Sequence, residues 1–295
     1  LMTTITPAAP MTIQLVATLT SPLHHGAGTS GNTAILRTQE VVQPDGSTAR
    51  VPFVSGASVR HLLRDRIAWK TAEIVNFDTL SKAAVDLMWT GGAVTATGAE
   101  VDLDMARRVD EIYPALGLLG YAAQSDIVTG TLRASDLILV CAENAWRLPP
   151  GLPEGHIAQR AAAFRSEEFG TRHDVASSPA ARLVEAAELA VGSTRTTQMI
   201  WDTQVIKAGS ILSGSLSVTP SVSPRQTLTL AAALALWAPD GAVSLGAKSA
   251  QGYGSARLAI DEPTLAWARE GLAWWESHTA ANADHIKTLV RDLAR

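Results

Sequence analysis

One cysteine, Cys141, stands among the 295 residues. It lies in an apolar run, so no disulfide forms within the chain and no zinc site can be built on cysteine pairs. Basic residues are also few: 24 Lys and Arg against 28 Asp and Glu leave a formal net charge of −4. Composition therefore supplies no general pull toward nucleic acid, and any polyanion site must be a local gathering of Lys and Arg. The uncharged apolar run of about 18 residues that a membrane helix needs is missing. Leu1 to Met11 has neither a basic start nor a long apolar core, which leads us to expect a chain that is not secreted, spans no membrane and works in a reducing cytoplasm. What is present is 46% hydrophobic and 18% charged residues, enough to bury the core of one or two ordinary globular domains.

Thr12 to Thr20 alternates, with Ile13, Leu15, Ala17 and Leu19 on one side, as a half-buried strand requires. Ser21 to Ser55 dissolves into Gly, Ser, Thr, Asn and Pro around one β-rich stretch, Ala34 to Val42, and reads as a long loop or hairpin region. A helix of roughly 15 residues is expected from Gly56, with Ser55 as N-cap, Val59, Leu62, Leu63 and Ile67 at helical spacing, and Arg60 and Arg64 together on another face. Tyr113 to Tyr121 reads as a short apolar helix or turn. Leu132 to Val140 reads as a strand, and Pro149 to Arg195 as an insertion with helical pieces around polar Phe169 to Asp174. Thr196–Ile206 and Ile211–Thr219 look like a hairpin closed by Lys207 to Ser210. Pro224 to Trp237 is an apolar helix, Leu245 to Gly254 a Gly-rich loop, Ser255 to Ile260 a strand, and a helical region follows from Pro263. The order suits an α+β, ferredoxin-like sheet better than a doubly wound parallel one.

Two phosphate-binding look-alikes fail on context. Gly26-Ala-Gly-Thr-Ser-Gly31 matches the dinucleotide fingerprint, yet β-prone Ala34-Ile-Leu36 follows it instead of a helix that could hold a pyrophosphate. Gly241 to Ser249 resembles a P-loop, but Ala247 intrudes between the second Gly and Lys248. The Ser55-Gly-Ala-Ser-Val-Arg60 helix start is different: free backbone N–H groups, the hydroxyls of Ser55 and Ser58, and Arg60 with Arg64 could face one phosphate stretch. Its plain alternative is a cap with a solvated face. In Leu245 to Gly254, glycines permit close backbone approach while Lys248, Ser249 and Gln251 supply donors; an ordinary connection is the alternative. His24-His25 could supply a general base, although adjacent side chains on extended backbone point apart and do not share a metal. His173-Asp174 and Glu167-Glu168 sit in a polar stretch where a solvated loop is the default. Trp267, Trp274 and Trp275 are expected in core or interface. Trp201, in the expected hairpin, could wedge against a base.

Leu23-His-His-Gly-Ala-Gly28, Val51 to Arg64, Leu116-Gly-Leu-Leu-Gly120 with Leu132-Arg-Ala-Ser-Asp136, and Leu245 to Gly254 together resemble, in that order, the RAMP superfamily and its Cas-seven family. Members form the helical backbone of multi-subunit CRISPR effectors. The resemblance implies one domain over the whole chain. Its modified ferredoxin-like or RNA-recognition-like palm would span about 12–70, 112–145 and 208–262, with a helical insertion and β-hairpin thumb at about 146–207 and a C-terminal helical region at 263–295. It further implies guide phosphates held by Ser55, Gly56, Ser58, Arg60 and Arg64 with Lys248 and Ser249 nearby. It implies RNA contacts also from Arg37, which would lie in the loop where cleaving relatives carry an Asp, from Arg172 in the insertion that would face the target strand, and from Arg195, Gln198, Met199 and Trp201 in the thumb. With Arg37 or Thr38 at that place, only Glu40 is a nearby carboxylate. The implied role is a non-cleaving subunit without cofactor, most like those of type IV systems with type III kinship in its motifs. Its partners would be the guide RNA, copies of itself head to tail, other effector subunits, and target nucleic acid through guide pairing. A RAMP endoribonuclease using His24 or His25 is the rival.

Overall fold

The structure, a computed structural model, describes residues 11–94, 102–123, 126–172 and 199–295. In chain order, β1 (Thr12–Leu19), β2 (Gly26–Ser30), β3 (Thr33–Leu36), β4 (Thr38–Val42) and β5 (Thr48–Val54) precede the helices α1 (Gly56–Val75), α2 (Lys82–Thr90), α3 (Leu103–Ile112) and α4 (Pro114–Leu119). Next come β6 (Tyr121–Ala123), β7 (Asp126–Val128), β8 (Leu132–Ala134), β9 (Leu137–Leu139), α5 (Glu154–Ile157), β10 (Arg165–Arg172), β11 (Met199–Ile206) and β12 (Ile211–Val218). The chain ends with α6 (Pro224–Trp237), β13 (Ala242–Ser244), β14 (Ser255–Leu258), α7 (Glu262–Ala281) and α8 (Ala283–Leu293).

Strands β14, β1, β12 and β9 lie side by side, each pair antiparallel. Helix α1 falls between β1 and β9 in the chain, and α6 between β12 and β14. That is the βαββαβ order of a ferredoxin-like fold, so the expected α+β class holds. Strands β5 and β4 extend the sheet beyond β9, and β13 extends it beyond β14. Alternation along β1 sends Leu15, Ala17 and Leu19 to the helical side, where Val59, Leu63 and Ile67 of α1 and Leu230 and Leu234 of α6 complete the core. Full burial of each such Leu, Val or Ile stabilises by roughly 1.5–3 kcal/mol. Helix α7 packs on α6 so closely that a Cβ at Gly271 would stand 2.2 Å from the Ala231 methyl. Trp275 is fully buried against Tyr113, and Trp274 stacks on His278, which agrees with a packing role for these aromatics.

Three sequence expectations are corrected. Met199–Ile206, the described part of the first expected strand, does not pair with Ile211–Val218 across Lys207–Ser210. Instead β11 pairs antiparallel with β10 and parallel with β3 in a second sheet ordered β10-β11-β3-β2, while β12 runs in the main sheet. The turn carries the chain between sheets, held by Gly209 N–H to Leu19 O at 2.7 Å. Glu167-Glu168, expected in a solvated loop, lies in strand β10, where β11 satisfies its backbone. Finally, Leu132–Val140 is broken into β8 and β9 at Ser135-Asp136, both pieces pairing with β12. Helix α1 is also longer than expected, twenty residues, and ends at Asn76 in the left-handed region. Among the described residues no helix is long and apolar enough to cross a membrane.

Candidate nucleic-acid interface

The start of α1 is built as its sequence suggests, but two of its backbone donors are already engaged by side chains. Ser55 Oγ accepts from Ser58 N–H at 3.3 Å, and the Gly56 N–H donates to Asp136 Oδ1 at 2.9 Å. Asp136 is thus a built-in anion at the helix N-terminus, favoured there by the helix dipole. It comes from the break between β8 and β9, which explains why that strand is interrupted. Glycine is required at position 56 because a Cβ would lie 2.2 Å from Ala134 O.

The two arginines behave differently. Arg64 is buried, and its Nη2 donates to Leu119 O at 2.7 Å and Gly120 O at 3.0 Å. Burial and the neighbouring Arg60 charge lower its pKa to about 10, which leaves it charged at neutral pH. Such a guanidinium clamps the end of α4 and offers nothing to a phosphate. The expectation that Arg64 holds guide backbone is therefore corrected: α4 and α2 cover the helix face that spacing alone made solvent-facing. Arg60 is half-buried and donates to Leu119 O at 2.5 Å. Together with Gly56, Ala57, Gly130 and Arg133, it lines a cleft of about 340 Å³ at the α1 N-terminus. Exposed Arg133 in β8 is the member that sequence reasoning missed. Its signal was its place in Leu132-Arg-Ala-Ser-Asp136, next to the residue that caps α1.

Both histidines turn inward. His24 is 4% exposed, with Nδ1 2.8 Å from Gln204 O. His25 is 8% exposed and its Nε2 accepts from Ser55 N–H at 3.3 Å, with Phe53 edge-on to the ring. Burial first, then the charge of Arg37, lowers the His25 pKa. A neutral imidazole joining the loop after β1 to the start of α1 is what this arrangement makes. Neither ring stands open as a base. Arg37 is exposed and its Nε donates to Gly26 O at 3.2 Å. The Gly26–Gly31 stretch is strand and turn with no helix after it, as expected for a non-Rossmann loop.

The Gly-rich loop docks on the second sheet. Lys248, itself in the left-handed region at φ 61°, donates from Nζ to Thr203 Oγ1 at 2.6 Å and lies 4.9 Å from the centre of the Trp201 ring. Trp201 also lies across Gly170, where a Cβ would meet the indole at 2.2 Å. Trp201 is accordingly half-buried, packed between a cation and a glycine, and not a bare wedge. Ser249, next to Lys248 in the chain, is exposed. Arg172 and Met199 are the last backbone pair of the β10–β11 ladder. Arg195, Gln198 and His173-Asp174 lie outside the described residues. The structure thus gathers Ser55, Gly56, Ser58 and Arg60 at one place and Trp201, Lys248 and Ser249 at another.

No protein-family model matches the sequence, and none of the curated proteins does. The fold itself places the chain among ferredoxin-like α+β proteins with a second, smaller sheet. A solved structure titled "Type IV-B CRISPR Complex" contains a similar chain: TM-score 0.56 and 19% identity, covering 86% of this chain and 92% of that one. At that identity the likeness is one of fold, and it extends over nearly the whole of both chains.

Proposed function

We propose that the chain is a guide-RNA-binding backbone subunit of a multi-subunit CRISPR effector, one that coats RNA and does not itself cut the target. The observation that carries this reading is the fold shared almost end to end with a chain of a type IV-B CRISPR complex. The cleft at the α1 N-terminus adds chemistry to it. Arg60 and Arg133 put two guanidinium groups beside a helix N-terminus in a chain with an overall acidic balance, and phosphate contacts of that kind position a backbone without reading its sequence. Copies would pack head to tail along the guide in an open, helical assembly with other effector subunits, leaving guide bases to pair with target nucleic acid. A cleaving role for His24 or His25 has no support from their burial.

The test is binding of labelled single-stranded RNA at several salt concentrations by the wild type and by Arg60→Gln with Arg133→Gln. The reading expects affinity that is indifferent to RNA sequence, and a salt slope smaller by about 1.4 in the double variant. Equal slopes in the two proteins would remove the cleft from the site.

A further inference from the structure

The open face of the main sheet carries a second groove that the cleft at α1 does not include. Its volume is about 480 Å³, in the range of a small-ligand site, and its floor is made by outward residues of three neighbouring strands: Gln14 of β1, Ser213 and Ser215 of β12, and Ile138 of β9. The pairing register explains why they share a face, since Gln14 stands opposite Ser215 and Ser213 opposite Ile138. Over this polar floor stands Arg147, which ends the short helical turn after β9. Its Nε and Nη2 converge on Asn144 Oδ1 at 2.9 and 2.6 Å. Asn144 is itself fully buried, and its Nδ2 is fixed to Leu139 O at 2.7 Å. The guanidinium is therefore held in one plane before anything binds. Burial lowers the Arg147 pKa from its ordinary value. Asp136, the one carboxylate lining the groove among the described residues, spends Oδ1 on the Gly56 N–H.

Next to Arg147 stands Trp146, 58% exposed, its ring centre 5.8 Å from the guanidinium carbon. An exposed indole costs solvation unless something covers it, and beside a fixed arginine it forms a pair suited to a base and its phosphate. We infer that Trp146 and Arg147 form a nucleotide subsite for single-stranded RNA, the indole stacking on one base and the guanidinium holding the adjoining phosphate. The Ser215 hydroxyl and the exposed Gln14 amide are then at hand for sugar and base edges, while Ser213 is buried beneath them. A base has a π-face whatever its identity, so the subsite is tolerant of sequence. This inference rests on the RNA-binding reading and adds a second contact to it, on the sheet face instead of at the helix N-terminus.

The experiment measures affinity for a short labelled single-stranded RNA with the full chain and with Trp146→Ala, Arg147→Gln, and Arg60→Gln with Arg133→Gln. Photo-cross-linking of the wild type follows, with mapping of the linked peptides. Trp146→Ala should weaken binding about tenfold, as loss of one stacked base does, and Arg147→Gln should lower the salt slope by about 0.7. Cross-links should fall on the peptide containing Trp146. Because Trp146 is exposed, its variant keeps the fold even if Arg147→Gln does not. Unchanged RNA affinity for Trp146→Ala, alongside weakened binding by the Arg60 and Arg133 variant, overturns the subsite and leaves the functional reading standing. An altered oligomeric state of RNA-free Trp146→Ala with unchanged affinity also overturns it, since the indole would then meet another protein copy. A wild-type chain that binds no RNA overturns both.

Discussion

Arg64 separates a structural from a ligand-binding arginine, and truncating it to alanine gives a quantitative test. Arg64→Ala removes two charge-assisted hydrogen bonds to the carbonyls of Leu119 and Gly120, each worth roughly 1.5–3 kcal/mol net. Two facts reduce the sum. Leu119 O keeps its bond from Arg60, and Arg64 Nη1 is buried without a partner among the described residues, so the wild type already carries one desolvated donor. The expected cost is about 3 kcal/mol. With a urea dependence of about 3 kcal/mol per molar, the unfolding midpoint should fall by about 1 M. The assay is equilibrium urea unfolding followed by far-UV circular dichroism, run beside RNA binding in native buffer. Arg64→Glu should be worse, because a carboxylate would face backbone carbonyls in a buried site. A variant of unchanged stability that has lost RNA would refute the reasoning and restore Arg64 as a phosphate ligand.

Gly56→Ala should destabilise by roughly 2–3 kcal/mol, read as a lowered melting temperature, because its Cβ would press 2.2 Å from Ala134 O and neither strand nor helix can yield locally. The pH dependence follows from His25 and His278, whose pKa values are both lowered by burial. Below about pH 6.5 the unfolded chain takes protons that the folded chain refuses, so stability falls as pH drops from that point toward the folded pKa values. Urea midpoints at pH 7.5 and 5.5 should show this loss, and His25→Gln with His278→Gln should flatten it.

What the sequence made legible was local. The alternation of β1, the Ser55 cap and apolar spacing of α1, and the run from Pro224 to Trp237 each state their structure within a few residues, and all three stand in the fold. Pairing was not legible. The turn chemistry of Lys207–Ser210 suggested a tight hairpin, but the same residues serve equally to move the chain from one sheet to another. Polar β10 carries no strand alternation because its neighbour β11, distant in sequence, supplies its hydrogen bonds. At the site, helical spacing put Arg60 and Arg64 on one face correctly, yet spacing does not say what covers a face. Here α4 covers it, and one arginine is spent on its carbonyls. His24 and His25 show the same limit: their chemistry suggested bases, and their backbone partners Gln204 and Ser55 make them braces. Trp146 and Arg147 were silent in sequence because the groove beside them is assembled from β1, β9 and β12.

The central claim is that this chain coats RNA, and it is tested most directly on protein purified from cells. Absorbance at 260 and 280 nm should be combined with light scattering on a sizing column, before and after ribonuclease. The account predicts a nucleic-acid-rich absorbance ratio and large particles that fall apart once the RNA is digested. A nucleic-acid-free monomer that stays monomeric when single-stranded RNA is added would contradict it.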